Sequence, residues 1–168
     1  MVDKVYTVLF LSQRNSARSV MAEAIVNRYG QGRFRGFSAG VRPGGGLEPF
    51  TLDALATAGY STEGLRPRHY LEFAAHGATD LDLVFTLSDT AAGEPMPEWP
   101  GRPVTAHWPC EDPVLAAGEE WERRRAFGLV LAGLERRLRI VMNLPLASLD
   151  RLSLKGQIDE VGRDQNPR

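Results

Sequence analysis

Short apolar runs alternate along this chain with longer segments of helical spacing. Residues 5–11 are apolar almost throughout, the pattern of a strand buried on both faces in a parallel sheet. A helix is predicted over 16–29, where Met21, Ala24, Ile25 and Arg28/Tyr29 recur at helical intervals and Gly30 supplies a stop. Residues 35–39, 81–87 and 103–107 read as three further strands. Between them come a Gly/Pro-rich connector over 41–49, a helix over 49–58 ending at Gly59, and a short helix over 69–76. Residues 90–101 carry Pro95, Pro97 and Pro100 and read as a loop. The longest helix is predicted over 119–143, with Trp121, Phe127, Leu131, Leu134, Leu138 and Val141 as one apolar stripe. Arg123–Arg125 and Glu135–Arg137 fall mostly off that stripe and read as a solvated face. Pro145 breaks the helix, a last amphipathic helix covers 149–161, and residues 164–168 read as a frayed tail.

Strands alternating with helices predict an α/β fold in three layers, a four-stranded parallel sheet flanked by helices. The 168 residues suit one domain, over 1–163, followed by the tail. In such folds ligands bind beyond the carboxyl ends of strands, near the switch in strand order. The segment Ser12, Gln13, Arg14, Asn15, Ser16, Ala17, Arg18, Ser19 occupies that place, between the first strand and the first helix. A loop there points backbone N–H groups and the positive end of a helix dipole at one spot, an arrangement suited to an anion. Arg18 can grip a tetrahedral oxyanion through two N–H donors, and Arg14 adds charge. Asn15 tolerates the left-handed backbone that a tight cradle needs. Ser and Asn are also common helix caps, so an ordinary capped helix gives the same composition.

Composition narrows the ligand. Hydrophobic residues make up 43% and charged residues 24%, with a net charge of −1, so nothing global draws the chain to nucleic acid or membrane. No apolar run reaches about 18 residues, so no membrane span is expected. Cys110 is the single cysteine, which excludes an internal disulfide and suits a reducing, cytoplasmic setting. No organic cofactor is implied.

The order of its segments resembles the low-molecular-weight protein tyrosine phosphatase family, and within it the arsenate reductases that work with thioredoxin. The resemblance rests on VLFLSQRNSARSVMAEA (8–24), FSAG (37–40), RPRHYLEFA (66–74), LVFTLSDTAAG (83–93), WPG (99–101), HWPCEDP (107–113) and the last two helices. It implies that Ser12 stands where the family has a nucleophilic cysteine, five residues before Arg18. It implies that Asn15, Arg18 and Ser19 shape the loop and bind the oxyanion, and that Asp112, before Pro113, is in the general-acid position. The two further redox cysteines of the reductases correspond to Ser88 and to Met96 or Pro95. Asn15, Glu23 and Ser38 match positions that hold potassium in some reductases, although hydrogen bonds behind the loop are the simpler reading.

The substitutions bear on chemistry. A thiol falls to roughly 3.5–7.5 beside a helix N-terminus and an arginine, whereas a serine hydroxyl stays protonated and needs an adjacent base. The histidines are His69, His76 and His107, none beside the loop in sequence. His107 is expected to pack beside Trp108 at a strand end, and Cys110 to be an inert small residue near the rim. An engineered trap needs only Ser12; loss of three cysteines together fits a natural change better. The expected ligand is a small oxyanion or phosphorylated molecule, and no thioredoxin-coupled relay is expected. An active hydrolase, with Ser12 phosphorylated or Asp112 activating water, and a pure interaction module remain the alternatives.

Overall fold

The computed structural model describes residues 4–163, so the expected tail at 164–168 lies outside the described residues. Four strands, β1 (Tyr6–Ser12), β2 (Phe34–Gly40), β3 (Leu83–Thr86) and β4 (Val104–His107), form one parallel sheet in the order β2-β1-β3-β4. The helices are α1 (Arg18–Tyr29), α2 (Pro49–Thr57), α3 (Asp89–Gly93), α4 (Glu120–Met142) and α5 (Arg151–Arg163). Because β2 lies on one side of β1 and β3 on the other, the connections from the two central strands diverge at their carboxyl ends. Ser12 is the last residue of β1 and stands opposite Gly40 of β2. The loop that follows therefore opens into the crevice of the sheet.

Side chains alternate across a strand, so β1 feeds two apolar layers. Val8 and Phe10 join Leu83, Phe85, Val104 and Ala106 on the face covered by α1, α4 and α5. Phe10 stacks on Phe85 with ring centroids 5.3 Å apart. Leu9 and Leu11 face the other way, with Val84, Ala39, Tyr70, Ala91 and Trp99. Both faces are covered, which is why these strands read as continuous apolar runs. Trp108 closes the first layer at the end of β4: its indole N–H donates to the Ile158 carbonyl at 3.0 Å. It lies so close to α5 that a Cβ on Gly162 would overlap the ring.

Several predicted elements differ from those observed. α1 begins at Arg18 rather than residue 16, because Ala17 has a non-helical φ of −141° and belongs to the loop. Its buried stripe stops at Val26; Arg28 and Tyr29 are exposed. The 69–76 segment makes a short 3-10 turn, Tyr70–Ala74. The loop expected over 90–101 starts inside α3, which Ser88 caps by accepting the Ala91 N–H at 3.1 Å. On α4 the buried stripe begins at Phe127, and Trp121 is 64% exposed. Helical spacing gives a stripe its direction but not the point where the layer beneath it ends. Arg137, expected on the solvated face, is only 8% exposed, since the 109–116 segment lies along that side of α4.

Candidate functional site

The 12–18 segment is folded into a cradle by bonds to three neighbouring segments. The Ser12 carbonyl accepts from the Val41 N–H at 3.1 Å, and the Gln13 carbonyl from the Arg42 N–H at 2.8 Å. The Ser16 carbonyl accepts from the Glu48 N–H at 3.1 Å and from the Thr51 hydroxyl at 3.0 Å. β2 reaches this loop only because position 40 is glycine: a Cβ there would lie 2.9 Å from the Gln13 oxygen and from the Arg14 carbonyl carbon. Those are backbone atoms, so the loop itself would have to move.

Asn15 is the pivot. Its φ is 56°, in the left-handed region, and it is fully buried. Its N–H donates to Ser12 Oγ at 3.2 Å, and its side-chain amide donates to Ser19 Oγ at 2.8 Å and Ser38 Oγ at 2.9 Å. Its Oδ1 accepts the Arg68 N–H at 2.9 Å. Every polar group of this side chain is thus used, which offsets the strain of its backbone. Ser12 Oγ also meets Ser19 Oγ at 2.6 Å.

The result is a pocket of about 140 Å³ lined by Ser12, Gln13, Arg14, Ser16, Ala17 and Arg18, with Glu48, Asp112, Val114 and Leu115 across from them. Arg18 Nη1 donates to the Cys110 carbonyl at 3.0 Å, and Nη2 lies 3.5 Å from Asp112 Oδ2. Asp112 Oδ1 accepts the Val114 N–H at 3.1 Å, which fixes the carboxylate at the pocket wall. Asn15 and Ser19, predicted as loop contacts, brace the pocket from behind rather than line it. The loop therefore sets two arginines, one of them at the N-terminal end of α1, around a space the size of a small anion, with a carboxylate at its edge.

The remaining predicted positions separate from it. Ser88 caps α3, and Met96 is 38% exposed; neither lines the pocket. His107 does not pack on Trp108. Its ring hydrogen-bonds Thr86 Oγ1 at 2.7 Å and Asp89 Oδ1 at 3.0 Å, because the strand's alternation sends Trp108 inward and His107 outward. Burial pushes the Cys110 thiol up to about 11, against the pull of nearby arginines. Asn15, Glu23 and Ser38 do come together, yet they bond one another and a guanidinium. Ser38 Oγ donates to Glu23 Oε1 at 3.1 Å, and Arg68 Nη1 sits 3.0 Å from the same oxygen. The positive charge a potassium ion would bring to this carboxylate is already supplied by Arg68, so this set does not suit the ion. Desolvation, larger than the opposing pull of Arg68, raises the Glu23 pKa above its ordinary value.

Sequence reasoning missed Gly40, Glu48 and Arg68. Gly40 and Arg68 lay inside segments that carried the resemblance, FSAG and RPRHYLEFA, but their contacts are made across the fold. Residues 7–153 match the sequence pattern of the family described as low molecular weight phosphotyrosine protein phosphatase. The chain belongs to that family. It is 32% identical over 117 residues to an arsenate reductase of Bacillus licheniformis, covering 70% of this chain and 81% of the relative. Among solved structures it is similar to an arsenate reductase in the phosphate binding state, with a TM-score of 0.65 and 24% identity over 82% of this chain and 97% of that one. A low molecular weight protein tyrosine phosphatase from T. tengcongensis superposes with a TM-score of 0.59 at 22% identity, over 78% and 93% of the two chains. These likenesses confirm the phosphatase fold with its four-stranded parallel sheet. Among the described residues no helix is long and apolar enough to cross a membrane.

Proposed function

We propose that this member of the phosphatase family binds a tetrahedral oxyanion, phosphate, arsenate or a phosphoryl group, in the 12–19 loop, and that covalent turnover at Ser12 is impaired. Backbone N–H groups and Arg18 hold the anion, and Asp112 stands where the family's acid protonates a leaving group. One observation carries the reading. The loop is fully braced, while among the described residues Ser12 Oγ is bonded to Ser19 Oγ and the Asn15 N–H, neither of which is a base. A hydroxyl so placed keeps its proton. A thioredoxin-coupled relay has no route here: the single thiol, Cys110, is held protonated, and thiol exchange runs through thiolates.

Calorimetric titration with phosphate and arsenate tests the binding. The wild type binds, and Arg18→Ala weakens binding about tenfold or more, the worth of a charge-assisted contact. A wild type that takes up neither anion defeats the proposal. The alternative, an active hydrolase, rests on Asp112 lying in the same pocket. Steady-state aryl phosphate hydrolysis by the wild type, abolished in Asp112→Ala, would favour it.

A further inference from the structure

Behind the oxyanion loop lies a second, larger cleft that the reading above does not use. It has a volume of about 660 Å³ and runs between α1, β2 and the 59–68 segment. Arg28, Arg35 and Arg68 line it, against two carboxylates, Glu23 and Glu63. Among the described residues the one ion pair within it is Arg68–Glu23, so Arg28 and Arg35 face a single remaining carboxylate.

Two of the three guanidinium groups, those of Arg28 and Arg35, are held in place by something other than an anion. Arg28 Nη1 donates to the Ala58 carbonyl at 3.1 Å, and the group lies 4.7 Å from the centre of the Tyr60 ring. Gly59, with φ +84°, makes the turn that brings the Ala58 carbonyl to Arg28. The Arg35 guanidinium lies 4.9 Å from the Phe37 ring centre. Arg68 uses Nη1 for Glu23, and a guanidinium has five N–H donors. Side chains already ordered lose little freedom when they grip a ligand, and planar cations suit phosphate oxygens.

We propose that this cleft is a regulatory site for a small polyanion bearing phosphate groups, gripped by Arg28, Arg35 and the outward edge of Arg68. Its effect would reach the front of the molecule through Arg68. That residue donates its N–H to Asn15 Oδ1 and its guanidinium to Glu23, which is bonded through Ser38 to the Asn15 amide. Asn15 sets the 12–19 loop. A polyanion drawing the Arg68 guanidinium outward therefore strips Glu23 of its counter-charge and bears on the Ser38 link to the Asn15 amide, while the backbone N–H of Arg68 stays on Asn15 Oδ1. Glu23, buried and already inclined toward its neutral form, can take up a proton as its counter-charge leaves. The site stands apart from the front pocket and does not require that pocket to bind an anion.

Pyrophosphate is the probe, followed by calorimetry and by the side-chain amide resonances of Asn15. Arg35→Glu, an exposed change outside the oxyanion loop, is expected to weaken one pyrophosphate binding event about tenfold or more. Arg18→Ala retains that same event, and the Asn15 amide signals shift as it saturates. An Arg35→Glu protein that titrates like the wild type overturns the site. Loss of all pyrophosphate binding in a folded Arg18→Ala protein does so too. Binding that depends on Arg35 yet leaves the Asn15 signals unmoved overturns the coupling. If the front pocket fails to bind while the Arg35-dependent event persists, the oxyanion proposal falls and this one stands.

Discussion

Ser12 Oγ and Ser19 Oγ lie 2.6 Å apart at the floor of the loop, with the Asn15 N–H aimed at Ser12 from 3.2 Å. These partners donate to an anionic atom at position 12; they do not deprotonate a neutral one. The arrangement suits a thiolate far better than a serine hydroxyl.

Ser12→Cys should therefore create activity. In the variant the thiol meets a hydroxyl, an amide N–H and the N-terminal end of α1, groups that lower thiol pKa toward the range of reactive cysteines. Hydrolysis of an aryl phosphate, at background in the wild type, is expected to rise well above it in the variant. An inert Ser12→Cys protein that still binds phosphate would show that more than the nucleophile has been lost.

Gly40→Ala should disable the site although Gly40 does not itself line the pocket. The new methyl would stand 2.9 Å from backbone atoms of Gln13 and Arg14, so the cradle must shift. Overpacking of this kind costs about 1–3 kcal/mol. Urea unfolding reads the stability, and calorimetry reads the accompanying loss of phosphate binding. Unchanged values for both would mean that the β2 edge does not hold the loop.

The pH dependence has a sign set by Glu23. Its pKa is raised above the ordinary value of 4.5, with burial the largest cause. Below 4.5 the folded and unfolded chains both carry the proton, and the group contributes nothing to the difference. Above it the unfolded chain ionises first, the folded state holds the extra proton, and stability falls until the folded carboxyl ionises too. Glu23→Gln should remove this part of the slope. Unfolding free energies from pH 4 to pH 7 measure it; a steeper fall in the variant would mean that pairing with Arg68 outweighs burial.

Cys110 should be slow to react. With its thiol at about 11, the thiolate fraction at pH 8 is roughly a hundredfold below that of a free cysteine. Labelling by a thiol-specific disulfide reagent should be retarded at least that much in the native protein and return to the normal rate in denaturant. Rapid labelling of the folded chain would expose a thiol able to enter redox chemistry.

Much of this molecule is written locally. The apolar run before Ser12 becomes a strand because both its faces are covered, and Phe127, Leu131, Leu134, Leu138 and Val141 pack as their helical spacing demands. The Ser12-to-Arg18 spacing places an arginine at the start of α1 behind a polar loop. Burial is less local. Trp121 carries the same periodic signal as Phe127 yet is exposed, and Arg137 is covered by a segment some 25 residues earlier in the chain. Nothing in the order of residues along a helix tells which other segment will lie on it.

The sequence by itself determined the alternating α/β order and the place of the polar 12–18 loop between the first strand and the first helix. Those follow from patterns a few residues long. Only the tertiary structure decided how the loop is held. Gly40 at the end of β2 closes on Gln13 and Arg14 beside it, Arg68 reaches Asn15 and Glu23 from 53 and 45 residues away, and His107 turns to Asp89 instead of Trp108. Hydrogen bonds and steric contacts act over a few ångströms of space whatever the separation along the chain, and the fold alone sets which residues come that close.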